Sequence, residues 1–398
     1  MVKPISKIAS GITPSATLAI NALFKQMQAE GKDVVGFGAG EPDFNTPENI
    51  KAAAIKSIHE NQTRYTPAAG IMPLRQAVCT RMKEDLGLDY KPTEVVVASG
   101  AKHSVYAALM VCCDPGDEVV IAAPYWLSYY EMVHMAGAVP VEVVASKEQN
   151  FKITAEQLEA AITPKTKVFM LNSPSNPTGM VYSREELEAL AAVCEKYGIY
   201  VIADDIYYKL VYDGIEYTSI ASISPAMKEQ CIVVNGVSKT YAMTGWRIGY
   251  TLSNETVAKA MASYLSHSTG APATPAQYAA VEALNGPQES VEMMRAEFEK
   301  RRNHLVERMN KVPGVSCLKP QGAFYVMMDM SGFVGKELYG HVIEGDSDFA
   351  QLFLEKGGVA TVPTSAFAAP NYLRWSYATS LENIDKGIDR LEKFLAEA

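Results

Sequence analysis

Lys239 lies in the run NGVSKTYAMTGWRIGY, Asn235 to Tyr250, directly after an apolar strand-like stretch at Cys231 to Val234. Gly236 and Ser238 ahead of it are small, so the amine can be presented into a cleft at a strand end, and Arg247 follows eight positions later in the same loop. A lysine that reacts covalently with carbonyls needs a lowered pKa and a fixed partner, and an anionic cofactor clamped by a nearby guanidinium would meet both needs. A lone lysine is otherwise a solvated surface charge. The reading of Lys239 therefore depends on what else gathers around it.

Four further stretches carry side chains that could converge with it. Ser99, Gly100, Ala101 and Lys102 follow a strand ending at Ala98 and open a helix. Small residues there let a ligand approach the backbone at a helix N-terminus, an anion site, although they also serve as ordinary caps. NSPSNPTG, Asn172 to Gly179, follows a strand ending at Leu171. It is either a tight turn or a turn that also fixes the Asn176 amide as a donor to a phenolic oxygen. ADDIYY follows a strand ending at Ala203, with Asp204 and Tyr207 three apart. A carboxylate at a buried strand end must be paired with a cation or hold a proton, and a protonated pyridine nitrogen is one such cation. Asp204 as a helix cap, with Asp205 solvated, is the alternative. In NYLRWSYATS, Arg374 sits inside an apolar strand and needs an anion, either a structural carboxylate or that of a substrate.

The elements that must position these residues alternate. Runs at Glu94 to Ala98, Glu118 to Ala122, Val139 to Val144, Lys167 to Leu171, Tyr200 to Ala203, Cys231 to Val234 and Ile248 to Leu252 are separated by helical stretches such as Lys102 to Val111 and Arg184 to Tyr197. That order predicts an α/β fold with a mostly parallel seven-stranded sheet covered by helices, in which ligands collect at the carboxyl ends of the strands. After Gly286-Pro287 a charged helix runs to about Lys311. Strands at Ala323 to Asp329, Val359 to Val362 and Tyr372 to Ser376, with helices at Asp346 to Lys356 and Leu381 to Glu397, predict a smaller α+β domain. The expected division is an N-terminal arm and part of the small domain at 1–46, a large cofactor-binding domain at 47–287 and a small C-terminal domain at 288–398.

Composition narrows the class of function. The 398 residues are 48% hydrophobic and 20% charged, with a net charge of -9 and no basic block, which argues against nucleic acid and anionic membrane surfaces as partners. The six cysteines are scattered, with no CxxC pair and no metal-ligand spacing, so free thiols and no metal are expected. No apolar run reaches membrane-span length and the N-terminus has no continuous apolar core, so a cytoplasmic protein is expected. No GxGxxG lies between a first strand and helix, which removes a nicotinamide dehydrogenase.

Taken in order, GAGEPDF, RYTPAAG, PYW, NSPSNPTG, ADDIY, SKTYAMTGWRIGY and NYLRWSY resemble the fold-type I, class-I pyridoxal-phosphate aminotransferases. The likeness is greatest to the bacterial aspartate aminotransferase subgroup and covers nearly the whole chain. It implies pyridoxal 5'-phosphate as cofactor, with Lys239 bonded covalently to it and, once released by substrate, moving the substrate proton. It also implies Asp204 on the ring nitrogen, Tyr207 and Asn176 on the ring oxygen, Trp126 stacked on the ring, and Gly100, Ala101 and Lys102 around the phosphate. Arg247 becomes the phosphate clamp, the partner subunit's Tyr65 reaches the same phosphate in a homodimer with shared sites, and Arg374 and Gly40 hold the substrate α-carboxylate. Trp126 and Asn176 also border the substrate.

The resemblance implies amino transfer between L-aspartate and 2-oxoglutarate in two half-reactions, with an aromatic, prephenate or broad-range aminotransferase, or a carbon-sulfur lyase, as the nearer alternatives. A cofactor-sensing transcription regulator would need an added DNA-binding domain. Three departures stand out. Gly236 replaces a serine frequent in the family, which removes a phosphate ligand and leaves open whether Ser238 substitutes. Asp205 replaces a usual glutamate, a change expected to be neutral. No arginine lies between Arg247 and Arg295 to take a distal carboxylate, so that role passes to Lys102 and the Ser15 to Thr17 segment, and a point charge on a flexible stem implies looser specificity.

Overall fold

The computed structural model describes residues 3–12 and 16–397, and for 16–21 the backbone alone. Seven strands form the main sheet: β1 Val95–Ala98, β2 Glu118–Ala123, β3 Val139–Val144, β4 Thr166–Asn172, β5 Tyr200–Asp204, β6 Cys231–Gly236 and β7 Gly249–Leu252. Their order is β1-β7-β6-β5-β4-β2-β3. All neighbours are parallel except β7, which runs antiparallel to both β6 and β1. The central strands are buried along almost their whole length, as continuous Val/Ile/Leu runs between two helical layers require.

The reversed β7 matters for function. Its first residue, Gly249, pairs with Ala98 at the end of β1 and with Gly236 at the end of β6. Arg247, which enters β7, therefore reaches the same sheet edge as Ser99, which leaves β1, and Lys239, which follows β6. Helices pack on the sheet with ordinary end signals. One of them, α1 (Ala101–Cys112), begins at Gly100 with φ 89°. Another, α2 (Arg184–Tyr197), is bounded as its pattern predicts, by a Ser183/Glu186 capping box and a left-handed Gly198.

The C-terminal region is built on a smaller antiparallel sheet: β8 Ser316–Cys317, β9 Tyr325–Asp329, β10 Val362–Pro363 and β11 Tyr372–Ser376, in the order β10-β11-β9-β8. Two helices, α3 (Glu289–Met309) and α4 (Leu381–Ala396), pack near it around Phe298, Leu305, Trp375, Ile388 and Phe394. The strand expected at Val359 to Val362 is two short ones in different sheets, because Val359–Ala360 pairs in parallel with Val35–Gly36. That pairing, and the hold of Lys386 and Arg390 on Asp33, ties the N-terminal segment to the C-terminal region. The helix expected to reach Lys356 is α-helical only over Asp346–Leu352 and continues as a π-turn over Phe353–Gly357, ending at left-handed Gly358. No helix among the described residues is long and apolar enough to cross a membrane.

Candidate active site

A cavity of about 430 Å³ opens where the carboxyl ends of β1, β4, β5 and β6 face β9 and β11. Gly40, Ala101, Lys102, Trp126, Asn176, Asp204, Tyr207, Lys239, Arg247 and Arg374 all line it, joined by Ser238, Tyr129 and Tyr325. Gly100 stands just behind. Tyr65 does not line it and is fully exposed. Ser15 lies outside the described residues, as do the side chains of Ala16 and Thr17.

Asp204 is the last residue of β5 and is buried. Tyr129 Oη donates to its Oδ2 at 2.6 Å and the Ile206 amide to its Oδ1 at 3.2 Å. Burial pushes its carboxyl up to about 6; these hydrogen bonds pull the other way, and the Lys239 amine is the weakest influence on it. A carboxylate placed so is short of a cation. It is not a helix cap.

Asp205 is not solvated either: it is 3% exposed, with burial pushing it to about 7 against the pull of the Ser219 and Tyr217 hydroxyls. The chain keeps pairing one residue past β5, Asp205 N donating to Val234 O, so alternation sends residues 204 and 205 to opposite faces. The alternative of a solvated Asp205 therefore does not hold, because strand pairing continues through its amide.

Arg374, on β11, presents the opposite deficit. It is 3% exposed and held between the rings of Tyr325 and Phe367, 4.5 and 5.2 Å from their centroids. Nη1 donates to Asn176 Oδ1 at 2.9 Å and Nη2 to the Gly38 carbonyl at 3.1 Å, while Nε has no hydrogen-bond partner among the described residues. Burial lowers its pKa, and among the described residues the Tyr325 and Tyr207 phenols work against that. Of the two readings of this arginine, the structural ion pair is therefore not made among the described residues. Because Asn176 spends its oxygen on Arg374, its amide nitrogen is left to donate into the cavity.

Lys239 lies between these groups and donates to the Gly40 carbonyl. Withdrawal from water lowers its amine from 10.5 to about 8; Glu41 acts upward, and Arg374 and Arg247 lower it further. A neutral amine, the nucleophilic form, is then accessible near neutral pH.

The edge between β1 and β7 forms a cradle. Helix α1 starts without a side-chain cap, so its first amides face the cavity with the positive end of the helix dipole. Arg247, in a left-handed conformation at φ 56°, reaches the Ser99 carbonyl with Nη2 at 3.3 Å and the Thr244 carbonyl with Nη1 at 2.8 Å. A β-carbon on Gly100 would lie 2.2 Å from Arg247 Nη2, and one on Gly249 would lie 2.2 Å from the Ala101 nitrogen. Both glycines are needed for this approach. The donors present, a guanidinium and free helix-end amides, suit a phosphate dianion. Lys102 Nζ stands over the Trp126 ring at 4.7 Å, its pKa lowered first by burial and then by Arg247.

Gly236 has a physical reason that local sequence does not reveal. A β-carbon there would meet the Ile248 carbonyl oxygen at 2.8 Å and Gly249 Cα at 3.1 Å, while Ser238 lines the cavity instead. Gly236→Ser is accordingly expected to destabilise the protein by ~1–3 kcal/mol by overpacking two backbones. Urea denaturation checks this; a variant as stable as the parent would mean that the strand ends yield freely.

Three residues of the site were not singled out in the sequence. Tyr129 sits five positions beyond Pro124 on the helix Ser128–Met135, and only the fold brings its hydroxyl to Asp204. Tyr325 on β9 and the Gly38 carbonyl likewise act through tertiary contact. No cluster of metal-ligating side chains occurs among the described residues.

Comparison with known proteins follows the same line. Residues 32–391 match the family model for aminotransferase class I and II. An aspartate aminotransferase of Bacillus sp. (strain YM-2) is 51% identical over 384 residues, covering 96% of this chain and 97% of that protein. An aspartate/prephenate aminotransferase of Cereibacter sphaeroides is 46% identical, covering 98% of each. Among solved structures, the aspartate aminotransferase from Rhizobium meliloti superposes with a TM-score of 0.96 at 41% identity, covering 100% of both chains. The Thermus thermophilus enzyme with maleate gives 0.93 at 41% identity, covering 99% of this chain and 100% of that one.

Proposed function

The chain belongs to the class I and II aminotransferase family, and on that premise we propose that it moves an amino group between L-aspartate and 2-oxoglutarate with pyridoxal 5'-phosphate as cofactor. The observation that carries this reading is a pair of opposite deficits on one cavity: a buried guanidinium without an anion among the described residues, Arg374, and a buried carboxylate short of a cation, Asp204. They leave each other unpaired. A substrate carboxylate answers the first and a protonated ring nitrogen the second.

When bound, the cofactor supplies the electron sink that makes the substrate Cα–H acidic. In this reading Arg247 and the amides of Ala101 and Lys102 hold its phosphate. Trp126 covers the ring, Asp204 keeps the ring nitrogen charged, and the Asn176 amide and Tyr207 hydroxyl donate to the ring oxygen. Arg374 forks the α-carboxylate, with the Gly40 backbone beside it, which fixes which Cα bond stands across the ring plane. Lys239 Nζ then takes the Cα proton and returns it, a positioned base whose lowered pKa suits neutral pH. The amino group stays in the site while the first keto acid leaves and the second enters. Closure of residues 288–398, which carry Arg374, with the N-terminal segment over the large domain excludes water during the proton transfer.

Lys102, with the Ser15 to Thr17 segment, takes the distal carboxylate. The relative solved with maleate supports a dicarboxylate in such a site. A second reading, a broader enzyme that also accepts prephenate or aromatic keto acids, is favoured by one feature. Among the described residues Lys102 rests on the Trp126 face rather than in an ion pair, so it can turn aside for a substrate without a distal charge. A homodimer is part of the proposal: exposed Ile55, Ile58, Tyr65 and Met72 give a second copy apolar surface to cover, and place the partner's Tyr65 as the missing phosphate contact. Action in the cytoplasm completes it.

Borohydride reduction of the purified yellow protein tests the covalent assignment. One modified peptide containing Lys239 is expected, and a label on any other lysine sinks it.

A further inference from the structure

Tyr325 touches both halves of the site. Its hydroxyl lies 3.0 Å from the Tyr207 hydroxyl, and its ring face carries the Arg374 guanidinium at 4.5 Å. It is 1% exposed, on β9, with its ring also packed against Phe324 at 4.7 Å and its hydroxyl beside Gly40. A side chain so confined has one place to be. Yet nothing in the reaction as described uses it.

We propose that Tyr325 is a positioning residue that sets the direction of the Tyr207 hydroxyl proton with its own hydroxyl and the plane of the Arg374 guanidinium with its ring. The proposal rests on the cofactor reading above. Each phenol has one proton to give. If Tyr207 is to donate to the cofactor's ring oxygen, its oxygen is free only to accept, and Tyr325 Oη is the neighbour placed to donate to it. The reverse arrangement would spend the Tyr207 proton on Tyr325.

The charged groups around the pair favour the useful direction. Arg374 on β11 lies directly on the Tyr325 face and is the leading charge on that phenol, opposed more weakly by Glu41; it also acts on Tyr207, where the Tyr325 phenol and Asp204 on β5 both oppose it. The guanidinium seated on its ring makes Tyr325 the better donor, and the Tyr325 phenol and Asp204 working against the same guanidinium make Tyr207 the better acceptor. Two hydrogen bonds in series strengthen each other, so the bond from Tyr207 to the ring oxygen is firmer with Tyr325 behind it. The same ring holds Arg374 flat, which a two-point carboxylate fork requires.

The test uses holoenzyme carrying Tyr325→Phe, Tyr325→Leu, Tyr207→Phe and the double change Tyr207→Phe/Tyr325→Phe. The readout is the pH midpoint of the bound cofactor's visible absorbance, together with KM and kcat for L-aspartate. Tyr325→Phe keeps the ring and is expected to raise the midpoint by about half a pH unit, a threefold change, with KM nearly unaltered. In the Tyr207→Phe background the same change should shift nothing further. Tyr325→Leu should in addition raise KM about tenfold while kcat falls less, because the Arg374 plane is lost. Each variant's unfolding midpoint is measured alongside, and a fall in stability without these separate signatures counts against the proposal. A Tyr325→Phe titration identical to the parent's, or an equal shift in the double variant, overturns it. A parent protein with no cofactor absorbance would overturn the cofactor reading itself, a distinguishable failure that removes this inference too.

Discussion

Lys239→Ala is expected to lower turnover of aspartate by about 10⁴-fold, the upper range for losing a positioned general base. The cofactor should still be retained without a covalent link, because Arg247, Asp204, Asn176 and Tyr207 line the same cavity and in the proposed reading would hold it independently of the lysine. The pH dependence of the unaltered protein provides a second arm. Its free amine is held near 8 by burial, so it is protonated and unreactive below that value and neutral above it. The rate at which apoprotein takes up cofactor covalently should therefore rise with pH and level off a little above 8. A rise that continued through 10 would mean that the lysine is solvated. A Lys239→Ala enzyme retaining a tenth of the parent's turnover would contradict its assigned role.

Arg374→Leu is expected to lower kcat/KM for aspartate about a thousandfold, ~4 kcal/mol, the scale for removing one side of a buried hydrogen-bonded ion pair. The effect should fall mainly on binding. The folded state, by contrast, should change by no more than ~1 kcal/mol. In the free protein the guanidinium is a buried charge with no anion among the described residues, and deleting it offsets the loss of its bonds to Asn176 and Gly38. Steady-state kinetics beside urea denaturation separates the two. An Arg374→Leu protein that lost several kcal/mol of stability would make this arginine a structural residue, and its role in substrate binding would fall.

Much of the architecture was legible because a fully buried parallel sheet writes itself as short Val/Ile/Leu runs between helical patterns. The ends of Arg184–Tyr197 were readable for a separate reason: a capping box and a C-terminal glycine are local signals. The site was legible where function leaves rare residues at strand ends, as at Asp204, Lys239 and Arg374. It was not legible where a residue acts through distant contact. Tyr129 is an ordinary aromatic in its own helix until the sheet brings Asp204 to it across 75 positions. Tyr325 reaches Tyr207 across 118. The reason for Gly236 was hidden in the same way: its local sequence shows only a missing hydroxyl, and the close approach of the Ile248 and Gly249 backbone appears in the fold alone. For Asp205 the motif alone left a solvated position open as an alternative, and only the continued strand pairing excludes it.

The central claim is that one cavity takes the amino group from a dicarboxylic amino acid and keeps it until a second keto acid arrives. Holoenzyme mixed with L-aspartate and no keto acid tests it directly. The account predicts a single burst of oxaloacetate equal to the number of sites, loss of the yellow absorbance, and return of that absorbance when 2-oxoglutarate is added. Continuous keto-acid release without an acceptor, or an aromatic amino acid giving the burst far faster than aspartate, would contradict it.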